Sequence, residues 1–251
     1  MSLKNIQNVR AMAGEGYFQL TGEAYHITLG HTESLNVNHE VSREDIYSAI
    51  TGVRTLADTD VTEQKATGTA VLRETGARNV AYAVMAQRGD LTQAAESGLT
   101  LTGSAVKGSV FDLGRLDVSV VTLTDGTDPL VEGTDYELDA QAGTLTFVTA
   151  QTTFDLVYDC AEITAGDDQS VLRAFSAAEG IEGHLMVVQR QPRGGKRFKY
   201  TAKVRIYPDG ALTLHSDSSD KATVPITFDV IEDASKPEGE RFGILQEVKN
   251  G

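Results

Sequence analysis

A chain of 251 residues, 40% of them apolar, is long enough to bury a sizeable core, as one large domain or as one domain with an insertion. Its formal charge of −14 argues against a general nucleic-acid binder that works by neutralising phosphates. One cysteine excludes an internal disulfide framework and a paired-thiol site, and no run approaches the roughly eighteen apolar residues of a membrane-spanning helix.

Residues 1–16 read as a flexible N-terminal arm ending in Gly14 and Gly16. The arm lacks the continuous apolar core of a secretory signal, so cytosolic synthesis is expected. From Glu23, the segment EAYHITLGH sets Tyr25, Ile27 and Leu29 against Ala24, His26 and Thr28. This period of two predicts a half-buried strand that continues through TESLNVNHEV. A second long strand, VTEQKATGTAVLRE, returns over 61–74. The connector between them, 42–60, is far longer than a hairpin loop of about 2 to 5 residues. It contains Arg43, Glu44, Asp45, Ile46, Tyr47, Ile50, Val53, Arg54 and Leu56. Its apolar members are expected to be covered by another subunit.

Thr75 is placed to cap a helix through ARNVAYAVMAQ, with Val80, Ala83 and Val84 on one face and Gly89 after its end. This helix is expected to cover an open end of a sheet. Residues 91–115 suggest short strands with glycine turns. From Leu116 the strands LDVSVVTLT, DYELDA, TLTFV and FDLVYDCAE alternate with Gly/Asp turns, as in a meander or sandwich. The span of about 100–165 could be an inserted β module. GIEGHLMVVQRQ is expected to pair with KRFKYTAKVRIYP across the tip PRGG. DGALTLHS and ATVPITFDVIED complete the β content, and the tail ends in a short apolar run. The predicted fold is therefore mainly β with one flanking helix.

Charge is segregated along the chain. From Leu116 to Leu172 there are twelve carboxylates and no lysine or arginine. From Arg190 to Arg205 there are seven basic residues and no acid, among them Arg190, Arg193, Lys196, Arg197 and Lys199. Copies of the chain could meet acidic face to basic face, in the heterologous manner that builds rings or filaments.

Catalytic and metal chemistry find little support. His26, His31 and His39 sit at odd and even offsets along one stretch, so they do not share a strand face, and His184 and His215 lie elsewhere. Asp125, Asp128, Asp135 and Asp139 do not match an EF-hand loop, and their DGTDP and EGTD settings are common turns. Cys160 sits beside Asp159 and Glu162, which oppose its ionisation. No phosphate-binding GxxxxGK[ST] or nucleophile GxSxG is present. We expect no enzyme activity, no cofactor, no metal and no membrane partner.

The order YHITLGHTESLNVNHEVSRE, VLRETGARNVAYAVMA, PLVEGTDYELDAQAGTLTF and EGHLMVVQRQPRGGKRFKYTAKVRIYPDGALTLHSDS resembles the major tail tube proteins of long-tailed, non-contractile bacteriophages, over roughly 20–232. The resemblance implies a tail-tube domain over 17–251, built as a β-sandwich or barrel with a flanking helix and shared with secretion-system tube proteins. It implies hexameric rings that join strands into one inner barrel and stack into the conduit for DNA ejection. In that picture 42–60 contacts the next ring. Arg190, Arg193, Lys196, Arg197 and Lys199 make intersubunit contacts, and carboxylates line the lumen and repel DNA. The implied partners are other copies, the tip initiator, the terminator and the tape measure protein. DNA would pass without specific binding. The implied location is the virion, after assembly in the host cytoplasm. Rival readings are a monomeric or surface-attached β-sandwich binding module, such as a decoration or Ig-like adhesive domain, and a secretion-system tube protein.

Overall fold

The computed structural model describes residues 13–48, 50, 52–166, 169–190, 196–214 and 222–249. In chain order the elements are β1 (Ala13–Leu20), β2 (Ile27–Thr28), β3 (Thr32–Ser48), β4 (Thr55–Leu72), the helix α1 (Ala77–Ala83), β5 (Gln87–Asp90), β6 (Glu96–Ala105), β7 (Val110–Asp112) and β8 (Val118–Thr124). They continue with β9 (Tyr136–Asp139), β10 (Thr144–Phe147), β11 (Gln151–Cys160), β12 (Ser170–Arg173), β13 (Ile181–Arg190), β14 (Lys196–Pro208), β15 (Val224–Val230) and β16 (Ile244–Lys249). The protein is mainly β with one helix among the described residues. It divides into two compact units, Met1–Arg88 with Leu172–Gly251, and Gly89–Val171. The insertion expected at about 100–165 falls inside the second unit.

The first unit is an eight-stranded antiparallel sheet in the order β2-β1-β13-β14-β15-β4-β3, with β16 also pairing β14. The sheet is open, ending at β2 and β3, so no closed barrel forms. Its core follows from alternation. In β15, VPITFDV, the even-numbered residues are buried and the odd-numbered ones half-exposed. Val224, Ile226 and Phe228 stack against Ala66, Ala70 and Leu72 of β4 and Val204 and Ile206 of β14. The helix packs on β14 and β15, as expected of a cover, and Tyr82 meets Phe18 edge-on at 5.4 Å. Its limits differ from the sequence reading. Gly76, not Thr75, stands at its start, with no side-chain cap, and it ends at Ala83. Met85 adopts a positive φ of 48° that no helix continues through. The buried positions are Asn79, Ala81, Tyr82 and Ala83, while Val80 and Val84 are only half-buried.

Three other expectations are corrected. Ala13–Leu20 is a strand paired along its whole length with β13, so the expected arm over 1–16 ends before Ala13; residues 1–12 lie outside the described residues. The strand expected from Glu23 to His31 shrinks to Ile27–Thr28, with Leu29 buried and Tyr25 exposed. Gly30 turns the chain there at φ 74°, and the Glu74 carboxylate accepts the His31 N–H at 2.9 Å. A side chain on Gly30 would collide with that carboxylate. Finally, 209–214 is not a strand, because β14 stops at Pro208 and Leu214 points into solvent; His215 and the rest of that segment lie outside the described residues.

The second unit holds two three-stranded sheets, β7-β10-β9 and β6-β11-β8. Their inward residues share one core, in which Phe111, Phe147 and Phe154 touch with centroids 4.8–5.7 Å apart. The strands expected from Leu116 onward appear as β8 to β11. The turn aspartates serve their own backbone. Asp125 accepts the N–H groups of Thr127 and Asp128, Asp135 that of Val131, and Asp139 that of Ala142. Cys160 is buried, with its Sγ 3.7 Å from the Ala94 carbonyl.

Two consequences can be measured. A methyl group on Gly68 would run into the Phe228 ring and the Asn36 carbonyl. Gly68→Ala should therefore lower unfolding stability by about 1–3 kcal/mol, read by urea denaturation. On the sheet face away from the core, Glu182 accepts from Arg205 and Lys203, each at 2.8 Å. Those hydrogen bonds hold its carboxyl below the ordinary 4.5. A depressed carboxyl contributes stability that is present above its unfolded-state pKa and lost as pH falls through the folded value. Glu182→Gln should cost about 1 kcal/mol at pH 7 and flatten the stability-versus-pH curve below pH 4.5.

Candidate interaction surface

The stretch expected to be a connector, 42–60, is the distal half of one continuous hairpin. β3 and β4 stay paired from Thr32↔Leu72 out to Ser48↔Thr55. The sequence permits this because Thr55, Thr59, Val61 and Thr62 favour extended backbone at β4 positions. Two bulges, between Ser42 and Arg43 and between Ile46 and Tyr47, absorb extra residues and increase the twist.

The third strand of support stops early. β15 pairs β4 only to Val230↔Ala66 and pairs β14 only to Val230↔Val204. Past Val230, β3 and β4 run on as a two-stranded ribbon that projects about 30 Å, at roughly 3.3 Å per residue. β13 and β14 run on from the same end of the sheet, flanked by β1 and by β16. Two prongs therefore leave one end of the sheet.

The ribbon has two chemically different faces, set by register. On the face that continues the core side lie Val41, Arg43, Asp45 and Tyr47, opposite Gln64, Val61, Thr59 and Leu56. Val41, Tyr47, Leu56 and Val61 are all exposed there, and Ile50 at the tip is 95% exposed. Arg54 lies 4.1 Å over the Tyr47 ring, and Asp45 accepts from Tyr47 at 3.4 Å and from Thr59 at 3.3 Å. On the opposite face lie Glu40, Ser42, Glu44, Ile46 and Ser48, against Lys65, Glu63, Asp60, Asp58 and Thr55. Glu44 stands directly across from Asp60, a like-charge pair that weakens an isolated ribbon.

The other prong is basic. Arg197, Lys199, Lys203 and Arg205 alternate along the outer face of β14, and Arg190 ends β13. Arg190 pairs with Glu15 at 2.6 Å, and Lys203 and Arg205 share Glu182. Among the described residues neither Arg197 nor Lys199 has an ion-pair partner. Nearby, burial and then His184 and Lys199 push the pKa of His26 down. Arg193 lies outside the described residues, and only the backbone of Lys196 is placed.

Of the residues singled out by sequence, Arg43, Glu44, Asp45, Ile46, Tyr47, Ile50, Arg54 and Leu56 all belong to the ribbon. They divide between its two faces and its tip. Glu40, Asp58, Asp60 and Glu63 were missed; Glu40 keeps phase with Glu44 along β3, but on β4 the extra Thr62 puts Glu63 out of phase with Asp60 and Asp58. Lys203 and Arg205 belong to the basic run read from the sequence but were not among the named intersubunit candidates, although the RxKxTxKxR spacing of β14 puts them on one face with Arg197 and Lys199.

The acidic surplus lies elsewhere. Gly89–Val171 has fifteen carboxylates against Lys107 and Arg115, so it holds nearly all of the −14, while the sheet unit is close to neutral. Among the described residues no group of three His, Cys, Asp or Glu side chains could hold a metal, and no helix is long and apolar enough to cross a membrane. No curated protein matches this chain. The family described as protein of unknown function UCP028589 matches residues 12–248, which span both units, and the chain belongs to that family.

Proposed function

We propose that this protein is the major tail tube subunit of a long-tailed, non-contractile bacteriophage, assembling as hexameric rings that stack into the conduit for DNA ejection. The observation that carries this reading is the free-standing ribbon 40–65. A two-stranded hairpin is marginal in water on its own. This one also displays Val41, Tyr47, Leu56, Val61 and Ile50 to solvent. An exposed apolar surface on a projecting element is a contact surface, and a structural subunit supplies the partner in its own copies. The open sheet supports the same reading. Among the described residues the outer edge of β3 is unpaired over seventeen residues, and the strand order ends on the other side at the two-residue β2. A long unpaired edge is a template for pairing with another chain, and closure into a barrel removes it.

Where the sheet is fully paired, its outer face suits a channel wall. Asn36, Thr69 and Thr227 form one cross-strand row, and Asn38, Thr67 and Asp229 the next. On this part of the face the amides and hydroxyls offer phosphates no salt bridge and the Asp229 carboxylate repels them, so DNA would slide past without specific binding. The other parts of the reading follow from it: partners among the tip initiator, terminator and tape measure protein, location in the virion, and a structural rather than catalytic role.

The second unit supports a rival reading as a binding module, because it has a sandwich core of its own. Electron microscopy of the purified full chain at high concentration, with size-exclusion chromatography at low and high salt, separates the two. Six-fold rings or hollow tubes are expected. A chain that stays monomeric at every salt and concentration overturns the tube reading in favour of a binding module. In a second test, Tyr47→Glu combined with Leu56→Glu should abolish rings. Both side chains are exposed, so monomer stability should stay within about 0.5 kcal/mol of the parent. Rings that persist in this variant would remove the ribbon from the contact.

A further inference from the structure

We propose that the acidic face of the ribbon docks on the basic β13–β14 prong of a second copy, as the lateral contact between neighbours in one ring. This rests on the tube reading above, and it assigns the ribbon to contacts within a ring, in place of the between-ring role expected of a connector.

Charge on the two prongs is complementary and internally unmet. The outer face of the ribbon bears Glu40, Glu44, Asp58, Asp60 and Glu63 against Lys65 alone. Glu44 and Asp60, directly opposite each other, gain from any cation brought between them. The β14 prong has the reverse imbalance. Glu15 and Glu182 neutralise Arg190, Lys203 and Arg205, leaving Arg197 and Lys199 toward the tip without a partner among the described residues.

The topology says which copy can bring them together. Both prongs leave the same end of the sheet, and the charged residues lie on the same outer side, because the register runs unbroken from β13 through β14, β15 and β4. In the strand order, the basic prong lies toward the β1 end and the acidic ribbon forms the β3 end. At Arg197 and Lys199 the basic stripe is flanked by β13 and β1 on one side of β14 and by β16 on the other, so it is reached across the outer face and not at an edge, and the ribbon of one copy would lie over the β14 face of the next. That is a heterologous contact, and it closes when the rotation between copies divides a full turn. A two-fold dimer would use the same two patches twice about its axis and stop at two copies, so six-fold rings against dimers in sedimentation velocity separate the two arrangements.

Charge reversal tests this on the full chain. Glu44→Lys with Asp60→Lys, and separately Arg197→Glu with Lys199→Glu, should each leave monomers, raising the concentration needed for ring formation at least tenfold in sedimentation velocity at low salt. The chain with all four reversals should form rings again, since its ribbon is basic and its β14 prong acidic. Each variant is checked for an unchanged circular dichroism spectrum. The rescue keeps the test decisive, because a variant that merely misfolds is not restored by two further changes. Isolated rings that fail to stack would overturn the lateral placement while leaving the tube reading standing. So would unaffected tubes, or failure of the fourfold variant to assemble. A parent chain that forms no rings at all overturns both.

Discussion

The early end of β15 is the constraint on which the rest of the sheet unit depends. Up to Val230, β14, β15 and β4 have neighbours on both sides, and alternate side chains have a core to enter. Past Val230 the same alternation continues on β3 and β4 with nothing to enter. Backbone hydrogen bonds hold the ribbon's shape, and the Asp45, Tyr47 and Arg54 contacts hold its tip, yet its apolar face stays wet. Hydrophobic burial is worth about 25 cal/mol per Å2 of apolar surface removed from water. That gain is left for association to collect. The fold thus divides one strand pair into a half that stabilises the monomer and a half that is available to a partner.

The same division appears in the charges. A net −14 spread evenly would disfavour packing copies together through self-repulsion. Instead, nearly all of it lies in Gly89–Val171, whose Phe111, Phe147 and Phe154 core needs nothing from the sheet unit. The sheet unit stays near neutrality, with acid and base sorted to different strands. The acidic run of the second unit, for which the sequence names no lumen-lining residues, consists partly of turn residues: Asp125, Asp135 and Asp139 each accept a nearby backbone N–H. Their placement in sequence follows from turn chemistry first.

Much of the fold was legible. VPITFDV, β13, β14 and the strands β9, β10 and most of β11 keep a period of two, because one face of each meets a core; β8 breaks it, with Val118 and Leu123 both buried across a register shift. The ends of elements were not, since they depend on single backbone angles. Gly30 bends the chain where EAYHITLGH reads as one strand, and Met85 stops a helix whose sequence continues to favour it. The ribbon was half legible. Its length and apolar content marked it as a contact element, but both faces are exposed and two bulges shift the phase. The extra residues, Thr62 and Ala57, lie on β4, so the period of two holds along β3 but breaks along β4.

The acidic outer face of the ribbon also answers a problem that the open edge of β3 creates. A long unpaired edge templates pairing with any other extended chain, and charged residues on exposed strands are a usual defence. Glu40, Glu44, Asp58, Asp60 and Glu63 repel an identical ribbon approaching edge to edge, which is the nearest wrong partner in a concentrated pool of subunits. A surface bearing Arg197 and Lys199 feels attraction where a second ribbon feels repulsion. One set of carboxylates therefore both suppresses the symmetric contact and favours the head-to-tail one. The local cost of placing Glu44 across from Asp60 is what that selectivity requires, because a ribbon neutralised by its own lysines would pair with anything.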